Sequence, residues 1–133
     1  MDYTELIRKA FQMLDYAYTP YSHFTVGAAL LCDDGTIVGG CNIENAAYGP
    51  SNCAERTAIF KAVSEGKRNF KAICVVGGHE KKVTDYCPPC GVCRQVMAEF
   101  CTGDFEIILA KSESDYKKYT LEELLPERFG LEG

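Results

Sequence analysis

A chain of 133 residues is long enough for one domain and too short for two ordinary ones, so residues 1–133 are expected to form a single unit. Its 47% hydrophobic and 25% charged residues suit a soluble globular protein, and no apolar run approaches the roughly 18 residues that a membrane span requires. A formal charge of −5 repels phosphate backbones, which argues against a nucleic-acid polymer and for a small, roughly neutral ligand. The N-terminus, MDYTELIRKAF, is acidic where a signal peptide is basic, so the chain is expected to be cytoplasmic. In that compartment the eight cysteines read as free thiols plus a metal site, not as a disulfide framework.

Tyr3, Leu6, Ile7, Ala10, Phe11, Leu14 and Ala17 recur at helical spacing, and Asp2 with Glu5 suggests a capping box at the start. The turn Thr19-Pro20-Tyr21-Ser22 closes this amphipathic helix. FTVGAALLC (24–32) and TIVGGCN (36–42) read as strands, joined by an Asp-Gly hairpin turn in Asp33-Asp34-Gly35. Gly27, Ala28, Ala29, Gly39 and Gly40 imply that something packs very closely on this hairpin. A turn-rich loop, IENAAYGPSN, leads to a second helix over 53–65, with Ala58, Ile59, Ala62 and Val63 inward and Gly66 at its C-cap. AICVV (72–76) is a strand covered on both faces. An irregular loop over 77–89 precedes a third helix over 90–100, expected to bury Val92, Val96, Met97 and Phe100. FEIILA (105–110) is a buried strand, Tyr116–Thr120 an edge strand and Leu121–Leu125 a short last helix. Right-handed crossovers make the later strands parallel. The fold class is α/β: a mixed five-stranded sheet between helices, a three-layer α/β/α sandwich.

The chemistry concentrates in PPCGVC (88–93) and NCAE (52–55). Cys90 and Cys93 have the C-x-x-C spacing that lets two thiolates grip one ion. Cys53, two residues before Glu55, supplies a third sulfur. Each motif opens a predicted helix, where unpaired N–H groups and the macrodipole favour thiolate. Three sulfurs leave a fourth zinc position open to water, and Glu55 is the carboxylate placed to carry its proton. Three thiolates on Zn²⁺ sum to −1, which weakens a Lewis acid. Arg56 is the nearest group that can offset this by hydrogen-bonding to the sulfurs, and Gln95 can donate in the same way.

Plainer readings exist for these residues. Cys90 and Cys93 could form a structural zinc site or a redox pair, and Cys87 is a rival ligand. Cys32, Cys41, Cys74 and Cys101 read as core packing. His23 reads as a loop residue bonded locally, and His79 as solvent-exposed.

The pairing of C-A-E with P-C-x-x-C resembles the zinc-dependent nucleoside and nucleotide deaminases. YTPYSHFTVGAALL, GCNIENAAYGPSNCAERTAI, PPCGVCRQVM and ELLPERFG together resemble the small cytidine deaminases over nearly the whole chain. That resemblance implies a cytidine deaminase-like fold and one zinc per subunit on Cys53, Cys90 and Cys93. It makes Glu55 the proton shuttle, places Asn42 and Glu44 at the ribose hydroxyls and Phe24 against the pyrimidine ring. It further implies a homotetramer in which a neighbour supplies Tyr48 and Phe129. The activity implied is hydrolysis of free cytidine and deoxycytidine to uridine and deoxyuridine with release of ammonia, as in pyrimidine salvage. The alternatives are a blasticidin-type or modified-nucleoside deaminase, and a non-catalytic zinc-stabilised binding module.

Overall fold

The computed structural model describes residues 2–131. The elements in chain order are α1 (Thr4–Met13) with a 3₁₀ turn at Leu14–Tyr16, β1 (Phe24–Cys32), β2 (Ile37–Cys41), α2 (Ala54–Ser64), β3 (Phe70–His79), α3 (Gly91–Phe100), β4 (Glu106–Ala110), β5 (Tyr116–Thr120) and α4 (Leu121–Leu124). The strands form one sheet in the order β2-β1-β3-β4-β5. Only β3 and β4 are parallel; the other neighbours are antiparallel. β5 departs from the parallel expectation because the turn before it, residues 111–115, is too short for a crossover.

Period-2 alternation divides the core. Ala29, Cys74, Val76 and Ile108 face Leu6, Ile7, Ala10 and Leu14 of α1. Leu30, Ile73, Val75 and Ile107 face Ala58, Ile59 and Ala62 of α2, Cys93 and Met97 of α3, and Leu121 of α4. This is the α/β/α sandwich.

The small residues of the hairpin let both helix layers close on it. A Cβ at Gly27 would lie 2.1 Å from the Ala10 carbonyl oxygen of α1. A Cβ at Gly40 would lie 2.5 Å from both the Ala54 oxygen and the Ala58 nitrogen of α2. α2 ends in a Schellman turn: Gly66 N–H donates to Val63 O and Lys67 N–H to Ala62 O, both at 3.0 Å, with Gly66 at φ +92°.

Several sequence expectations need correction. Asp2 does not form a capping box with Glu5; its carboxylate accepts from the Thr4 N–H at 2.9 Å and the Thr4 hydroxyl at 2.6 Å. The reciprocal box is at the other end of the chain, between Thr120 and Glu123 at the start of α4. β3 runs on to His79, through Gly77 and Gly78, which read as loop. They are glycines because other chain crosses them: a Cβ at Gly78 would lie 2.0 Å from Lys82 O, and one at Gly77 2.7 Å from Cys87 Sγ. Val92 is 58% exposed, while Cys93 and Met97 bury the inner face of α3. Being first-turn residues, Val92 and Cys93 lie on different sides of the helix, and the sulfur takes the inside.

Candidate active site

β2 and β3 both run antiparallel to β1, so their carboxyl ends lie at the same edge of the sheet. The helices that follow them, α2 and α3, pack on the same face and therefore begin close together. Cys53 is the N-cap of α2 and Cys90 the N-cap of α3, both with extended backbone. Cys93, one turn into α3, donates its N–H to Cys90 Sγ at 3.4 Å. The Cys53 and Cys90 sulfurs are 3.8 Å apart, those of Cys90 and Cys93 3.4 Å, and all three lie within 4.8 Å of one another. Cys87, the rival ligand, is outside this cluster.

The sulfurs compete for charge. The neighbouring Cys93 thiol draws the Cys53 thiol down, helped against burial by the Arg56 guanidinium. Cys93 is pushed up by the adjacent Cys53 and by burial. Three thiolates held this close repel one another unless a cation sits between them. A divalent, thiophilic ion supplies what the set lacks, so the donor chemistry fits zinc.

Arg56 Nη2 donates to Cys53 Sγ at 3.1 Å. Its buried Nε has no partner among the described residues, so donor capacity remains beside the sulfurs. Gln95 is a correction: its Nε2 donates to the Phe129 carbonyl at 3.0 Å, not to a ligand sulfur. Glu55, 4% exposed, sits in the first turn of α2. Burial pushes its carboxyl up to about 7, and the charge on Cys53 adds to this. A carboxyl with that pKa exchanges protons readily near neutral pH.

Cys53, Cys90 and Glu55 border a cleft of about 730 Å³, with Cys93 buried behind them. Asn42, Glu44, Tyr48 and Arg56 line it, together with Cys53, Glu55, Cys87 and Cys90. A bridge between Ile43 and Asn52 closes the 44–51 loop and carries Glu44 toward Cys53. Glu44 accepts from the Tyr21 and Ser22 N–H groups, each at 3.1 Å, and from the Ser22 hydroxyl. Asn42 accepts from Val26 N–H at 2.8 Å and donates to Phe24 O at 2.9 Å. Phe24 and Phe129 are not among the lining residues. Phe24 is 41% exposed with its ring edge over Gly77, while Tyr48 and Phe129 are 93% and 68% exposed. Sequence reasoning did not find Tyr21, Ser22 and Val26 in this cleft. No spacing rule could have done so, because Ser22 meets Glu44 only through tertiary structure.

A family model described as the cytidine and deoxycytidylate deaminase zinc-binding region matches residues 1–109. A cytidine deaminase of Halalkalibacterium halodurans is 52% identical over 132 residues, covering 99% of this chain and 97% of that protein. One from Sporosarcina psychrophila is also 52% identical, covering 99% and 94%. The crystal structure of cytidine deaminase from Burkholderia pseudomallei superposes with a TM-score of 0.88 at 44% identity, covering 97% of this chain and 100% of that one.

Proposed function

The chain belongs to the cytidine and deoxycytidylate deaminase zinc-binding family, and from that premise we infer that it is a cytidine deaminase whose zinc is held by Cys53, Cys90 and Cys93. The observation that carries this reading is the set of three sulfurs within 4.8 Å of one another, with the buried Glu55 beside them at a cleft of nucleoside size. When bound, zinc supplies Lewis-acid activation of a water, lowering the water's pKa by several units.

The remaining chemistry belongs to the chain. Glu55 takes a proton from the attacking water and delivers it to ring N3, which makes C4 electrophilic. Once the C4–O bond has formed, Glu55 takes the proton of the new C4 hydroxyl and passes it to the amino group; the C4–N bond breaks, ammonia leaves and the oxygen becomes the C4 carbonyl, with N3 keeping the first proton. Atoms balance as cytidine plus water giving uridine plus ammonia. Arg56 spreads positive charge over the ligand sulfurs through its bond to Cys53. Asn42 and Glu44 receive the ribose hydroxyls, and the family resemblance assigns Phe24, which does not line the cleft in this structure, to the pyrimidine ring. Deoxycytidine is a second substrate of the same site.

Exposed Tyr48 and Phe129 suit aromatic groups lent to a neighbouring subunit, which supports a homotetramer. No helix among the described residues is long and apolar enough to cross a membrane. The role proposed with this activity is pyrimidine salvage in the cytoplasm. The test is to incubate purified, zinc-analysed protein with cytidine, deoxycytidine, cytosine and CMP, following ultraviolet loss and ammonia release. The two nucleosides should react well and the others poorly. Turnover of CMP alone, or a chain without stoichiometric zinc, would overturn the reading.

A further inference from the structure

Glu44 is bonded to the segment that leads into β1, and Asn42 to the first residues of β1 itself. The Glu44 Oε1 atom accepts from Tyr21 and Ser22 N–H groups at 3.1 Å each. Oε2 accepts from the Ser22 hydroxyl. That same hydroxyl oxygen accepts from Phe24 N–H at 3.0 Å. Among the described residues, Ser22 is thus the side chain bonded both to the carboxylate at the sugar end of the cleft and to the Phe24 backbone. The turn that presents it is closed by His23 N–H to Thr19 O at 3.0 Å and tied to the end of β3 by Glu80 N–H to His23 O at 2.7 Å.

An ionised carboxylate accepts about four hydrogen bonds and donates none. Three are in place here, two on Oε1 and one on Oε2, so the open position is on Oε2. A ribose hydroxyl that donates to Glu44 must share Oε2 with Ser22. The backbone donors both grip Oε1, and a grip on one oxygen leaves the carboxylate plane free to turn. The Ser22 hydroxyl on the second oxygen stops that rotation. Asn42 is in a similar condition, with one amide hydrogen left after its bond to Phe24 O.

We propose that Ser22 is a positioning residue for sugar recognition, holding the Glu44 carboxylate in register to accept a ribose hydroxyl. The inference rests on the nucleoside reading of the cleft. It requires that Ser22→Ala weaken binding only of substrates that bear the hydroxyl. Ser22→Thr keeps the hydroxyl and should restore what alanine loses.

The experiment uses zinc-loaded protein with cytidine and with 2′,3′-dideoxycytidine, which lacks both ring hydroxyls. Loss of one hydrogen bond to a charged group should raise KM for cytidine roughly tenfold in Ser22→Ala. KM for the dideoxynucleoside should stay at its wild-type value, and threonine should return cytidine KM to within about threefold of wild type. An equal effect on both nucleosides, or a threonine variant as impaired as alanine, overturns the proposal and points to a general structural role. If wild-type protein deaminates neither nucleoside, the activity reading itself fails and this inference with it. Wild-type turnover of cytidine separates the two failures.

Discussion

Replacing Glu55 with Gln should make the protein catalytically inert and, without its metal, more stable. The carboxyl is 4% exposed, and burial raises it from 4.5 to about 7. A shift of that size corresponds to about 3 kcal/mol between its two protonation states. Below pH 4.5 the group is neutral both folded and unfolded. Between 4.5 and 7 the unfolded chain gives up its proton first, so stability is lost as pH rises, and above 7 the loss levels off. Glutamine has the same shape and no charge to desolvate, so Glu55→Gln should lack this loss. The assay is urea denaturation of chelator-treated wild type and variant at pH 5 and pH 8. Part of the loss is already complete at pH 5, so wild type should lose about 2.5 kcal/mol more than the variant between those two values. Zinc must be absent, because a cation beside the carboxyl restores its charged form. Parallel loss in the two proteins would refute the burial argument. In zinc-loaded protein the same substitution should cost about a hundredfold to ten-thousandfold in kcat, and activity above a tenth of wild type would remove Glu55 from its role.

Gly40→Val should destabilise the fold by at least 2–3 kcal/mol, roughly, because the new Cβ meets α2 backbone at 2.5 Å and must displace the helix that carries Cys53; zinc content measured with the melting temperature should fall, and an unchanged protein would contradict the close packing. Arg56→Ala should release zinc to a colorimetric chelator about 10–100-fold more readily, whereas tight zinc with normal turnover would show that the guanidinium is dispensable. Cys74, fully buried, is pushed from 9.0 to about 12, so its unfolded thiol ionises first and stability is lost as pH rises from 9 to 12. At pH 10 the loss is about 1.4 kcal/mol, and Cys74→Ala should show a correspondingly shallower decline in urea midpoint between pH 8 and 10. Cys87→Ser should retain one zinc per chain by metal analysis, since Cys87 lies outside the sulfur cluster.

Much of the fold was legible because strong local signals agreed with one another. The Asp-Gly turn, the apolar runs of β3 and β4 and the amphipathic face of α1 place each element within a few residues. Errors fell where tertiary contact overrode local pattern. Gly77 and Gly78 read as loop because their extended conformation is imposed by pairing with Val26 and Thr25. Val92 read as core because its place on α3 depends on which side of the first turn the sulfurs need. Gln95 read as a sulfur donor by adjacency, while the chain returning at Phe129 claims its amide.

What the residues determine by themselves is chemistry at short range. C-x-x-C puts Cys90 and Cys93 within one helical turn, and a helix opening beside each motif favours thiolate, because covalent spacing and backbone geometry leave little freedom there. Only the folded sheet decides that Cys53 joins them across 37 positions, that Glu55 is dry enough to hold a proton near neutrality, and that Ser22 reaches Glu44. Those approaches depend on β2 and β3 both opposing β1 and on the register of that pairing. Direction and register are properties of distant chain segments meeting, and no local stretch encodes them alone.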